Sequence, residues 1–198
     1  MLDHINIIGI SCGVFRKELE HLYNNNKIEV RFKFLSSMLH LKPELLEMKL
    51  NKSISQEPRN GYVLVFGDCH SRMNKYDSLF NVQRVSGANC CEIILGRERY
   101  RKFKKNRSFI LLPECTRNYK DIFIKRLGFN LTNIKDFMND MHSGIIYLDT
   151  GVMEVPNKQL NSIADFTGLK IDVVKLNLDF LANAVNNAYI KLSERLNA

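Results

Sequence analysis

Tyr62-Val63-Leu64-Val65-Phe66, running straight into Gly67-Asp68-Cys69-His70-Ser71, is the stretch whose reading decides the fold. Five consecutive apolar residues between Asn60-Gly61 and Gly67 predict a buried strand. A thiol just past the end of such a strand lies where open α/β sheets bind ligands. The start of the chain repeats the arrangement, with Ile5-Asn6-Ile7-Ile8-Gly9-Ile10 leading into Ser11-Cys12-Gly13. A third cysteine-bearing segment follows in Asn89-Cys90-Cys91-Glu92-Ile93-Ile94-Leu95-Gly96.

Working outward, strand and helix patterns alternate. Val14–Asn24 places Val14, Phe15, Leu19 and Leu22 at helical spacing, and Ile28–Phe34 alternates with the period of a half-covered strand. Pro43 opens a helix reaching about Ile54, at a first-turn position where proline is tolerated. Leu79–Val82 reads as a short strand, and Asn89 as the N-cap of a helix over Cys90–Phe103. Further strands are expected at Ser108–Leu112, Gly144–Leu148 and Leu169–Val174. Helices are expected at Asn118–Leu127, Asn133–Met141, Lys158–Phe166 and Asp179–Leu196. Alternation of this kind is the signature of βαβ units around a parallel sheet. The expected fold is therefore α/β and Rossmann-like: one domain over residues 1–198, its mostly parallel sheet flanked by helices.

The totals agree with such a domain. The chain has 198 residues, 45% hydrophobic and 25% charged, enough to bury roughly 70% of the surface it would expose unfolded. No apolar run approaches the roughly 20 residues of a membrane helix, and the N-terminus lacks a secretory layout. The expected location is the cytoplasm. Five cysteines, an odd count with no Cys-x-x-Cys pair, argue against a disulfide framework and against the common structural zinc modules. The net charge of +8 is modest for the length and bears on association rather than on fold.

The strand ends deliver Cys12, then Asp68-Cys69-His70, then Cys115, then Asp149. In a parallel sheet all carboxyl ends share one edge, and Cys90 and Cys91 reach it if their helix follows the winding. Helix N-termini and loop amides at that edge lower a thiol's pKa, so Cys12, Cys69 and Cys90 are expected together as thiolates. Three thiolates with one open direction suit a zinc ion or an iron–sulfur cluster. His70, Asp68 or Cys115 would complete the ligand set, Arg16 or Arg84 would offset thiolate charge, and Asp149 would line the pocket. Gly13 would let backbone approach a bound group.

Simpler readings compete with each assignment. Free cysteine is among the most buried residue types, and Cys91, beside Ile93 and Ile94, suits a core. Asp149 in Asp-Thr-Gly suits a turn. The run Arg97–Arg107 carries seven basic residues and invites a nucleic-acid reading. Cations near a helix C-terminus are favourable in their own right, and Tyr100 and Phe103 suit anchors to the body. Familiar nucleotide loops and the Gly-x-Ser-x-Gly elbow are absent from the sequence.

Four segments in order carry a family resemblance: Cys12-Gly13-Val14-Phe15-Arg16-Lys17-Glu18-Leu19, Phe66-Gly67-Asp68-Cys69, Arg84 through Asn89-Cys90 to Arg97-Glu98-Arg99-Tyr100, and Tyr147-Leu148-Asp149-Thr150-Gly151. Together they resemble the domain of unknown function 1638, a family of methanogenic archaea and anaerobic bacteria. The resemblance implies a three-cysteine pattern matching Cys12, Cys69 and Cys90. It also implies a genomic setting near corrinoid-dependent methyltransferases. This chain departs from the pattern with His70 where members have glycine and Ala88 where they have histidine. Its Leu95–Tyr100 stretch is one residue shorter, which leaves Cys90 and Cys91 both eligible as the third ligand. The expected function is a metal- or cluster-binding enzyme or accessory factor of methyl-group, corrinoid or sulfur metabolism, with a corrinoid protein or methyltransferase as partner. The alternatives are a metal-free module holding a small anionic ligand at the same edge, and a nucleic-acid-binding protein using the 97–107 helix.

Overall fold

Tyr62, Val63, Leu64 and Val65 have no exposed surface in the computed structural model, which describes residues 6–117, 119–126, 128–130 and 133–198. They form β3 (Gly61–Val65), an inner strand of a four-stranded parallel sheet ordered β2-β1-β3-β4. The other strands are β1 (Ile7–Cys12), β2 (Phe32–Leu35) and β4 (Val82–Arg84). Only an inner strand of a covered sheet accepts an unbroken apolar run, because water reaches neither of its faces.

β1 pairs with β2 on one side, Cys12 opposite Leu35, and with β3 on the other, Ser11 opposite Val65. The chain runs from β1 out to β2 through α1 (Arg16–Asn24), then back past β1 to β3 through α2 (Pro43–Gln56). The strand order reverses there, so the loops leaving β1 and β3 diverge and open a crevice at the carboxyl edge. Cys12 ends β1, and Cys69 lies four residues beyond Val65, the last residue of β3.

The described residues divide into two compact units. The first runs up to Gly96 and takes in Leu178–Ala198, and the second is Arg97–Asn177. The fold is α/β with parallel strands flanked by helices, as expected, but the strands make two sheets where the sequence reading had one. The second sheet is ordered β5-β6-β7, from β5 (Ser108–Leu111), β6 (Gly144–Asp149) and β7 (Ile171–Lys175). Each strand lies beside its neighbour in sequence, so the order never reverses. Around this sheet stand α4 (Arg97–Lys105), α5 (Pro113–Arg117), α6 (Ile134–Met141) and α7 (Asn157–Thr167), over a core that includes Tyr119, Phe123, Ile134, Tyr147 and Ile163.

In the first unit α3 (Cys90–Leu95) and α8 (Asp179–Asn197) complete the framework, with α8 packed on β3, β4 and α3. Leu181, Val185 and Leu192 of α8 are fully buried. The expected single helix over Cys90–Phe103 is cut at Gly96, whose φ of +76° is left-handed. A Cβ there would meet the Phe180 ring at 2.5 Å. The short strand is Val82–Arg84 rather than Leu79–Val82, since the Val82 amide turns back to the Leu79 carbonyl. Of the expected helix at Asn118–Leu127, Asp121–Arg126 forms a wide π-type turn, while Asn118 and Leu127 lie outside the described residues, as do His4 and Ile5.

Candidate functional site

Two loops of the first unit meet because Gly67 has no side chain. A Cβ on it would stand 2.5 Å from both the Ala88 carbonyl oxygen and the Asn89 Cα. The approach is fastened by the Asp68 amide, which donates to the Ala88 carbonyl at 2.8 Å. Asn89 caps α3 as its sequence predicts, its side-chain oxygen accepting from the Glu92 amide at 3.0 Å. Glu92 reaches back to the Ala88 amide at 3.2 Å. This double fastening fixes where α3 begins and so where Cys90 stands.

The Cys90 thiol hydrogen-bonds to Cys12, and Cys69 is near enough to both to act on their charge. Cys12, at the end of β1, is 6% exposed. The three thiols thus converge in the crevice between β1 and β3. For Cys69 and Cys90 this proximity reverses the sequence expectation of thiolates. The hydrogen bond to Cys12, then burial, then the charges of Cys12, Cys69 and Cys91 push Cys90 well above the ordinary thiol range. Burial, then Cys12, pushes Cys69 up to about 11, against a smaller lowering by the Gly67 backbone and Arg84. The nearest groups are other thiols, and like charges at contact cannot all form. α3, six residues long, does not overcome that.

The other sequence-predicted residues separate into those near the thiols and those elsewhere. Arg84 acts on Cys69, and its guanidinium donates to Asp68 at 2.7 Å and to Asp77 at 3.4 Å. Arg16 is turned to the protein's flank, stacked 4.5 Å from the Phe34 ring centroid and paired with Glu20 at 3.6 Å. Gly13 is needed by the fold itself: a Cβ there would lie 2.9 Å from the Leu35 carbonyl oxygen at the end of β2. Cys91 acts on Cys90, but the thiol bonded to Cys12 is that of Cys90. Asp149 and Cys115 belong to the second unit. There Asp149 accepts from the Gly151 amide at 3.0 Å, which shapes the turn after β6, and Cys115 packs on the core.

His70 is placed with a different set. Its ring stands edge-on to Tyr76, centroids 6.1 Å apart, and its Nδ1 accepts from the Arg72 amide at 3.1 Å. Burial lowers its pKa, and the charges acting on it come from Glu47, Lys75, Arg72 and Arg84, with no thiol among them. The short helical turn Met73–Ser78 that follows is tied to α2 through Glu47, whose carboxylate takes Arg72 at 2.5 Å together with Lys75. Tyr76 donates to Asn51 at 2.9 Å. Sequence reasoning missed Glu47 and Tyr76 as anchors of this loop. They sit in helical and irregular stretches with no motif to mark them.

Among the described residues, no group of three His, Cys, Asp or Glu side chains is arranged as it stands to hold a metal ion. The hydrogen bond between Cys90 and Cys12 holds those two thiols in contact. No described helix is long and apolar enough to cross a membrane. On the basic stretch, Arg99 donates to the Lys175 carbonyl at 3.4 Å and Arg107 to the carbonyls of Asp140 and Met141, so two of its cations serve the second unit internally.

Neither the curated proteins nor the solved structures contain a match to this chain. The matched family span covers Cys69 and Cys90 and begins after Cys12. Residues 34–185 match the family described as protein of unknown function (DUF1638), and the chain belongs to that family.

Proposed function

We propose that this protein binds a metal through Cys12, Cys69 and Cys90, working in the reducing cytoplasm where thiols stay free. The observation that carries the reading is the meeting of three thiols, drawn from three separate segments, at the switch point of a doubly wound sheet. Contact between Cys12 and Cys90 favours a mononuclear zinc, whose cysteine sulfurs lie roughly 3.8 Å apart for bonds of about 2.3 Å, over a four-iron cluster, in which each cysteine bonds its own iron and the sulfurs stand further apart. With His70 held against Tyr76, the fourth position is left to a water or a substrate atom. A zinc so held supplies Lewis acidity and lowers the pKa of whatever occupies that position. The chain's own part is to bring the thiols together, exclude bulk water through the burial of Cys12, and place Arg84 beside Cys69 to temper negative charge.

The role that follows is an enzyme or accessory factor of methyl-group, corrinoid or sulfur metabolism, with a corrinoid protein or methyltransferase as partner. The test is metal analysis of protein purified without oxygen. About one zinc per chain, lost together with binding in Cys12→Ser and Cys90→Ser, supports the reading. Several irons with acid-labile sulfide would keep the ligands and change the cofactor. Metal-free protein that takes up neither on reconstitution would end it.

A further inference from the structure

We propose that the outer face of α4, in the second unit, binds the phosphate backbone of a B-form DNA duplex. The basic run at residues 97–107, unused by the thiol site, holds seven basic residues against one acid, Glu98. Residues 108–177 of the same unit balance, eight basic against eight acidic, so the unit's excess charge sits in this one segment. Helix geometry sorts the cations. Arg99, Tyr100 and Phe103 are half-buried and hold α4 to the body, with Arg99 donating to the Lys175 carbonyl and stacked 5.8 Å from the Phe103 ring centroid. Arg97, Arg101, Lys102, Lys104 and Lys105 are exposed, and none pairs with a carboxylate among the described residues. At helical spacing these five spread over roughly 160° of the helix surface, on the side away from the anchors.

The chain gains nothing of its own from this arc. Arg97 with Arg101, and Arg101 with Lys105, are like charges at four-residue spacing, and each such pair weakens a helix. The helix dipole favours Lys102, Lys104 and Lys105 in the last turn but disfavours Arg97 in the first. Elsewhere the protein compensates such neighbours: in α1, Arg16 and Lys17 both meet Glu20. A self-repelling arc is relieved by an external polyanion, and its width selects which one. A helix about 10–12 Å across fits the major groove of B-form DNA, roughly 12 Å wide, where cations spread over this arc meet phosphates on both walls. A flat acidic protein surface would engage a single stripe. A membrane surface calls for an apolar face beside the cations, whereas here the aromatic residues serve as anchors to the body. The same placement leaves no free ring on which unpaired bases could stack, and the major groove of an RNA duplex is too narrow to enter.

The test is fluorescence anisotropy of the full chain with a labelled DNA duplex of mixed sequence, between about 50 and about 200 mM salt. Saturable binding is expected, with log K falling against log salt at a slope near about −4.5 for the five cations. Arg101→Ala combined with Lys105→Ala should reduce that slope by about 2 and weaken binding at low salt by more than about tenfold. Lys49→Ala combined with Lys52→Ala removes the same charge from α2 in the first unit and should leave the slope unchanged. All four residues are exposed, so both variants keep the fold. Equal losses in the two variants would overturn the proposal, since net charge alone would then account for binding. Absence of binding at about 50 mM salt would overturn it too. So would single-stranded DNA, duplex RNA, polyglutamate or phosphatidylserine vesicles bound as tightly as the DNA duplex. Cys12, Cys69 and Cys90 belong to the first unit, so this result and the zinc count fail separately.

Discussion

Gly67 and Asn89 lie so close that a methyl group on the first would stand 2.5 Å from the Cα of the second. Everything at the thiol site depends on that approach, since it sets the loop of Cys69 against the start of the helix that carries Cys90. Gly67→Ala must push the loops apart. The expected result is a loss of about 1–3 kcal/mol in unfolding free energy, with zinc binding weakened as well. A variant that keeps both wild-type stability and wild-type zinc content would show that the close approach is unimportant.

The five cysteines should fall into two classes. Cys12→Ser, Cys69→Ser and Cys90→Ser are each expected to lower zinc affinity by more than the roughly 10- to 100-fold typical of outer-shell changes. Cys115→Ser, in the second unit, should leave it unchanged. Cys91→Ser should alter it far less than Cys90→Ser, because Cys90 makes the bond to Cys12. Competition with a chromophoric chelator measures all five, and equal losses at Cys90 and Cys91 would reassign the third ligand.

The metal-free protein should lose stability in alkali. Burial, with Cys12 close by, raises Cys69 from near 9.0 to about 11, and Cys90 moves in the same direction. A thiol with a raised folded-state pKa holds its proton more tightly folded than unfolded. Its contribution is therefore whole below about pH 9 and lost as the pH climbs toward about 11. Urea midpoints compared at about pH 8 and about pH 10.5 should fall more steeply for the wild type than for Cys69→Ala. Parallel slopes would remove the effect.

Glu47 should matter in acid. Hydrogen bonding to Lys75 comes first, and Arg72 adds to it, in holding the Glu47 carboxyl below its ordinary value of 4.5. Its stabilisation is then present above pH 4.5 and is lost as the pH falls through the lowered value. Glu47→Gln is expected to lower stability near neutrality, modestly because Arg72 is well exposed. The gap between variant and wild type should close as the medium is acidified, and a gap constant with pH would assign Glu47 a packing role only.

Local patterns in the chain were enough for its class and for nearly every element. The apolar run at Tyr62–Phe66 could only be an inner strand, the alternation around it called for parallel pairing, and Asn89 announced the start of α3. Those signals act between near neighbours, so they are written in the sequence. Tertiary structure alone decided the rest. Gly96 divides one helical pattern in two because Phe180, far along the chain, leaves no room for a side chain there. The strands part into two sheets, so Asp149 serves a turn in the other unit, and His70 turns to Tyr76 instead of to the neighbouring thiols. Cys69 and Cys90 were expected ionised, yet burial and the neighbouring thiols hold their protons. Each of these outcomes depends on which distant residues come into contact, and residue type and spacing along the chain do not record that.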